Sequence, residues 1–303
     1  MIEARSLIDR LAAGLGRPTR RRFLAAGAAF LSAGTGAAGS VEVNTDARKT
    51  IHWLAFYGVT AEEAVLATYD IVVLDPDFQG SIGRVADGGG KVCGYLSLAE
   101  IRMSDPLVAR LDPAALLPEN PDWPGTHRVD IRHPTWRSLI LDVRVPALAA
   151  QGFTGLMFDA LDTPPYLEKL DQNRYSGMRA AAIELVVSIR ARWPDMMLIM
   201  NRGYALLPDL VGQIDAVIAE SLMTSPGPRG EGFAWIDRHQ LDLQLELLQP
   251  ATRRIPPLPI LSLDYWNPDD ASTIAEIYRR ERELGHHPYV ATRSLDLIVP
   301  ESR

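Results

Sequence analysis

From residue 50 onward the chain alternates two hydrophobic patterns. Short apolar or β-branched runs occupy 51–57, 70–75, 91–97, 154–159, 196–201, 215–220, 258–264 and 288–292. Runs of this length, apolar nearly throughout, predict strands buried on both faces. Segments of helical period lie between several of them, at 61–68, 136–150, 177–193, 237–248 and 269–284. Strands alternating with helices imply parallel pairing. Eight such units in about 250 residues predict an α/β fold, a (β/α)8 TIM barrel, rather than an open doubly wound sheet. A ninth short run at 128–131 is surplus to that count. Neither an internal repeat nor a long linker interrupts the pattern, so residues 40–303 read as one domain.

The eight runs share a second regularity: each stays apolar almost to its end and then turns polar. In order the ends offer Tyr57; Asp75 and Asp77; Ser97 and Glu100; Asp159 and Asp162; Asn201 and Arg202; Glu220; Asp264, Tyr265 and Trp266; Thr292 and Arg293. A barrel builds its active site at that end of its strands, so carboxylates are expected around one mouth. Asp and Asn after a strand also cap helices and close turns, and Asp112, Asp162 and Asp237 are read that way. Glu220 is a poor N-cap candidate, which leaves it free for chemistry. Carboxylates and aromatics at one mouth suit glycoside hydrolysis; metal-dependent hydrolysis and aldol or isomerase chemistry stay open on these residues alone. Tyr57, Tyr95, Tyr204, Tyr265 and Trp266 are the aromatics placed to stack on a sugar or pack the rim.

Composition narrows the partners. The 303 residues carry a formal charge of -7 with one cysteine, Cys93. That charge argues against non-specific nucleic-acid binding, and a lone cysteine rules out an intramolecular disulfide. The six histidines show no HExxH or HxH spacing, so no metal ligands and no cofactor are assigned. His286-His287 reads as a surface pair, Cys93 as a core residue, 87–91 as a turn rather than a phosphate loop, and 225–232 as a connector after the Glu220 run.

Residues 1–39 read as an address. Thr19-Arg20-Arg21-Arg22-Phe23-Leu24 precedes an Ala/Gly-diluted apolar run and small residues at Ala37 and Gly39. This order is that of a twin-arginine export signal cleaved near Ser40, giving a periplasmic or secreted protein. The alternative is a retained anchor, but the 16 residues of 23–38 fall short of a membrane span. Loss of six Arg, one Asp and one Glu moves the charge from -7 to -11 over 264 residues, which favours a cationic partner.

A set of motifs then carries a resemblance. In order they are Trp53-Leu54-Ala55-Phe56-Tyr57-Gly58, Tyr69-Asp70-Ile71-Val72-Val73-Leu74-Asp75-Pro76, Gly94-Tyr95-Leu96-Ser97-Leu98-Ala99-Glu100, Gly152-Phe153-Thr154-Gly155-Leu156-Met157-Phe158-Asp159, Met200-Asn201-Arg202-Gly203 and Asp215-Ala216-Val217-Ile218-Ala219-Glu220-Ser221. From about residue 51 to 293 the chain resembles glycoside hydrolase family 114, the endo-α-1,4-polygalactosaminidase-like barrels. The resemblance implies that Asp159 is the nucleophile and Glu220 the general acid/base of a retaining mechanism. It also implies a galactosamine or N-acetylgalactosamine polymer as substrate, bound by Tyr57, Asp75, Tyr95, Glu100, Asn201, Arg202, Asp264 and Tyr265. Two positions depart from the family pattern: Ala99, where Gly is commoner, and Ala160, where a polar residue is. A crowd of Asp75, Asp159 and Asp264 is expected to raise the pKa of Glu220. The protein is expected to be monomeric. A catalytically silent barrel that binds envelope polysaccharide is the alternative in another class.

Overall fold

The computed structural model describes residues 50–227 and 231–301 of the chain; residues 1–39, read from the sequence as an export signal, lie outside them. Eight strands form one sheet in which spatial order equals chain order. They are β1 (Trp53–Phe56), β2 (Ile71–Leu74), β3 (Lys91–Ser97), β4 (Gly155–Asp159), β5 (Met197–Asn201), β6 (Ala216–Glu220), β7 (Ile260–Tyr265) and β8 (His287–Ala291). All seven neighbouring pairs are parallel. Helices such as Met178–Arg192 and Ala271–Glu283 cross between strands. This is the (β/α)8 barrel that the alternation predicts, and each of the eight runs falls on one strand.

The seam between β1 and β8 is closed by side chains and a loop rather than by a ladder. Trp53 Nε1 donates to the His287 carbonyl at 2.7 Å, the Ile51 amide to His287 Nδ1 at 3.1 Å, and the Tyr57 amide to the Leu295 carbonyl at 2.6 Å. The Trp53 and Tyr289 rings meet edge to face, 5.9 Å apart. The barrel interior leaves little slack. A Cβ on Gly155 would stand 2.5 Å from the Cys93 Sγ and 2.7 Å from the Met197 carbonyl, so β4 fits between β3 and β5 only with glycine there. Cys93 is a core residue as read, and burial pushes its thiol up to about 12.

Three connections differ from the sequence reading. The surplus run at 128–131 contributes to a three-stranded antiparallel sheet, Glu100–Arg102, Thr126–Val129 and Leu116–Glu119, which rises as a tongue between β3 and β4. The helix read over 136–150 runs Pro134–Leu139, Ile140–Arg144 and Val145–Gln151, with a π-helical middle turn. Pro146 has no N–H to return to the preceding turn, and the widened turn before it absorbs that gap. The connector after Glu220 contains a hairpin, Thr224–Pro226 with Phe233–Trp235. Trp266 joins its aromatic rings, 5.8 Å from Phe233 and 5.9 Å from Trp235.

Outside the barrel wall lies a buried polar cluster that corrects two expectations. Asp264 does not face the mouth. It is fully buried behind β7, where Oδ1 accepts the Met223 amide at 2.8 Å and the Thr224 amide at 2.7 Å. His286 is not a surface residue; its Nδ1 sits 2.6 Å from the Glu281 Oε2, and both side chains are buried. Glu281 also bonds towards Ser262 and Asp264. Burial raises both carboxyls, Glu281 to about 7, and lowers His286 to about 4. Asp264 Oδ2 and Glu281 Oε1 both lack a donor among the described residues, the state of two facing acceptors until one proton is placed between them.

A raised carboxyl stabilises the fold below its unfolded pKa, and that contribution is lost as pH climbs to the folded value. Over the interval from 4.5 to about 7, wild type should therefore lose stability relative to Glu281→Gln. The lowered His286 acts in the opposite sense and touches Glu281, so both proteins are compared on a His286→Gln background. Melting temperatures of the two proteins from pH 5 to 8 check this: their difference should shift by several degrees in favour of the variant, and a flat difference would contradict it.

Candidate active site

Parity along adjacent strands builds the site. Asp159, Asn201 and Glu220 are the last residues of β4, β5 and β6, three neighbouring strands of one parallel sheet. The registers Phe158↔Met200 and Asn201↔Ile218 give the three the same parity, so each side chain turns to the same face at the mouth, with Glu220 two residues beyond the partner of Asn201. The residue that follows each one is left-handed and not glycine: Ala160 at φ 61, Arg202 at φ 51 and Ser221 at φ 55. Such backbone costs about 1–3 kcal/mol per residue and clusters at functional sites. Arg202 and Ser221 nonetheless extend the ladder, their amides donating to the Ile218 and Leu263 carbonyls at 2.9 and 2.8 Å. The chain then leaves the strand abruptly, so the three polar side chains stand at the rim. Asn and other short polar residues tolerate this conformation better than Ala, which gives the unusual Ala160 a physical meaning.

One amide nitrogen joins the two carboxylates. Asn201 Nδ2 donates to Asp159 Oδ1 at 3.1 Å and to Glu220 Oε2 at 2.8 Å. Those two facing oxygens can be no farther apart than the two bonds laid end to end, so the carboxyls stand side by side across one amide. Each carboxylate has a second donor of its own. Tyr95 Oη reaches Asp159 Oδ2 at 2.8 Å, and Tyr265 Oη reaches Glu220 Oε1 at 2.6 Å. Both acids are half-buried, open to solvent on the mouth side.

Tyr57 completes the rim, its ring edge-on to that of Tyr95 at 5.4 Å. Burial, and then the charges of Asp159, Glu220 and Asp75, hold the Tyr57 phenol far above the usual range. Tyr95 and Tyr265 are raised by burial and by Asp159 and Glu220 respectively. All three stay protonated and can only donate towards the carboxylates. Asp75 sits within this field, its Oδ1 closing a turn with the Asp77 amide at 2.9 Å.

The remaining expected residues serve the site from beneath. Arg202 Nε lies 3.4 Å from Asp162 Oδ2. Burial opposes the charge on Arg202, but Asp162 and the acids around it hold it protonated. Asp162 caps no helix with its side chain, unlike Asp112 and Asp237, which do. Glu100 is buried, with its oxygens taken up by Asn120 Nδ2 at 2.9 and 3.2 Å and Thr163 Oγ1 at 2.9 Å. Burial raises its pKa against those bonds. Tyr204 is buried too, its hydroxyl on Gln244 at 3.3 Å, and Trp266 packs with the hairpin. Of the ten expected residues, Tyr57, Asp75, Tyr95, Asp159, Asn201, Glu220 and Tyr265 meet at the mouth, Arg202 borders it, and Glu100 and Asp264 are spent on structure. Ser97 Oγ and Asn201 Oδ1 are buried at the strand ends without a partner among the described residues. Sequence reasoning did not foresee Asn120 and Thr163, because their partner lies in a different element.

A (β/α)8 barrel with two adjacent carboxylates at the C-terminal ends of its strands is the architecture of a glycoside hydrolase, and this chain is one. It belongs to glycoside-hydrolase family GH114, whose model matches residues 36–302. An uncharacterized protein of Deinococcus radiodurans is 28% identical over 274 residues, 82% of each chain. The glycoside hydrolase domain of PelA from Pseudomonas aeruginosa superposes with TM-score 0.72 at 24% identity, covering 82% of this chain and 98% of that domain. Aspergillus fumigatus Ega3, solved in complex with galactosamine, gives TM-score 0.61 at 15% identity, over 84% and 95% of the chains.

Removal of the shared amide should disable the pair without unfolding the barrel. Asn201→Ala deletes two hydrogen bonds to charged acceptors, so kcat/KM should fall roughly 10- to 100-fold or more while the melting temperature changes little. Steady-state rates beside a thermal melt check this, and near-wild-type kcat/KM would contradict it.

Proposed function

We propose that the protein is an exported, endo-acting, retaining hydrolase of α-1,4-linked galactosamine or N-acetylgalactosamine polymers. The observation that carries the retaining reading is the single Asn201 nitrogen within hydrogen-bond reach of both acids, since a double displacement needs its carboxyls ~5–5.5 Å apart. The polymer is suggested by the family and by the galactosamine bound to Ega3. Endo action rests on the resemblance, and export on the arginine-rich segment ahead of residue 40. Among the described residues no helix is long and apolar enough to cross a membrane.

In the first step an Asp159 oxygen attacks the anomeric carbon as the glycosidic C–O bond breaks, and Glu220 gives its proton to the departing oxygen. In the second, Glu220 takes a proton from water, the water oxygen attacks the same carbon, and the ester to Asp159 breaks. Each acid accepts one tyrosine and one Asn201 hydrogen bond. That near-symmetry means the division of roles comes from the family likeness rather than from the donors. Glu220 has no Asp264 beside it; the carboxylate next to it is Asp159, across Asn201. The Tyr57 hydroxyl, which has no hydrogen-bond partner among the described residues and borders both acids, is the group left to bind the sugar.

Digestion of α-1,4-galactosamine/N-acetylgalactosamine polymer, followed by mass spectrometry, tests the reading. Wild type should release oligosaccharides of mixed length from the start. Asp159→Asn and Glu220→Gln should each lose ~10²–10⁴-fold in rate. Intact polymer after wild-type treatment would refute the substrate, and retained binding there would favour the silent barrel.

A further inference from the structure

The tongue between β3 and β4 has a feature that the cleavage chemistry does not use. Trp123, at its tip, is 63% exposed, and Met103 beside it is 43% exposed. The turn Pro121-Asp122-Trp123-Pro124-Gly125 is rigid. The Trp123 amide donates to the Asn120 carbonyl at 3.0 Å, the Thr126 amide to the Trp123 carbonyl at 3.0 Å, and the Met103 amide to the Gly125 carbonyl at 2.8 Å. An exposed indole on a hydrogen-bonded turn has only two torsions of its own to lose when a ring lies on it.

The tip is bolted to the catalytic strand. Asn120, which starts the turn, holds Glu100 through its side-chain nitrogen, and Glu100 accepts Thr163 Oγ1, four residues beyond Asp159. The turn stands on the mouth side of the barrel, since the tongue begins at Glu100, just past the end of β3 at Ser97. A groove of about 330 Å³ runs between Arg102, Met103, Trp123 and Thr126, near the lower end of the ~300–1,000 Å³ of ligand clefts. Arg102, paired with Thr126 across the tongue, lines this groove; it is exposed and makes no ion pair among the described residues. A guanidinium in a sugar groove repels an ammonium and suits a carbonyl oxygen.

We propose that this groove is an outer subsite, in which an N-acetylated hexosamine residue of the polymer stacks on Trp123 with its acetamide oxygen towards Arg102. The proposal rests on the polymer reading above and adds to it which residue of the chain is recognised away from the cleaved bond. The protein would then select acetylated stretches on the tongue side, although the molecule as a whole is acidic.

Calorimetric titration of Glu220→Gln with hexamers, fully N-acetylated or fully deacetylated, tests it. The N-acetylated hexamer should bind more tightly, Trp123→Ala added to Glu220→Gln should weaken it roughly tenfold, and Arg102→Ala should narrow the difference between the two hexamers. On wild-type chemistry, Trp123→Ala should slow hexamer cleavage and leave an aryl glycoside too short to reach the tip unaffected. Equal binding with and without the indole, or preference for the deacetylated hexamer, would overturn the subsite. Polymer cleavage by wild type judges the hydrolase reading separately: cleavage without Trp123 dependence sinks only the subsite, and Trp123-dependent binding without cleavage sinks only the hydrolysis.

Discussion

Two carboxylates within a hydrogen bond of one amide nitrogen form the constraint around which this barrel is arranged. Like charges at that range repel, and half-burial strengthens the repulsion. Asn201 offsets it with one N–H to each acid, and can do so only from the strand between them. Chain order equal to sheet order puts β5 between β4 and β6, and a shared parity turns all three side chains to one face. The left-handed residue after each acid and after Asn201 is the backbone cost of leaving all three strands there.

Support radiates outward from this pair. Tyrosines from β3 and β7 hold the free oxygens of Asp159 and Glu220. The Arg202–Asp162 pair lies beneath the pair and places a positive charge among the acids. Behind β7, Asp264 ties down the Met223 and Thr224 amides just past Glu220. It fixes the end of β6 from outside the barrel, next to the Tyr265 that bonds Glu220 from inside. Neighbouring residues of one strand thus work on opposite faces of the wall.

That alternation also explains what was legible in the sequence. The eight strands could be read because their apolar runs are local and end in polar residues, and the same rule put Asp159, Asn201 and Glu220 at strand ends. Asp264 was misplaced because β7 runs one residue further than its polar signal, to Tyr265, which takes the mouth and turns Asp264 outward. Glu100 was misread because its partners, Asn120 and Thr163, lie 20 and 63 residues away. His286 was misread because it folds back on Glu281, five residues earlier, across the turn that ends the helix Ala271–Glu283. The tongue was missed as a sheet because three short strands without clear alternation carry no period, although Pro121-Asp122-Trp123-Pro124-Gly125 is turn chemistry that holds an aromatic at a tip.

The spacing imposed by Asn201 has a stereochemical consequence. Proton NMR of the newly formed reducing end, recorded in the first minutes of hydrolysis before mutarotation, reads it directly. A double displacement through Asp159 gives the α-anomer first, the configuration of the bond cleaved. Initial release of the β-anomer would mean that water attacks in a single step, and that the amide does not hold the two acids at the distance this account requires.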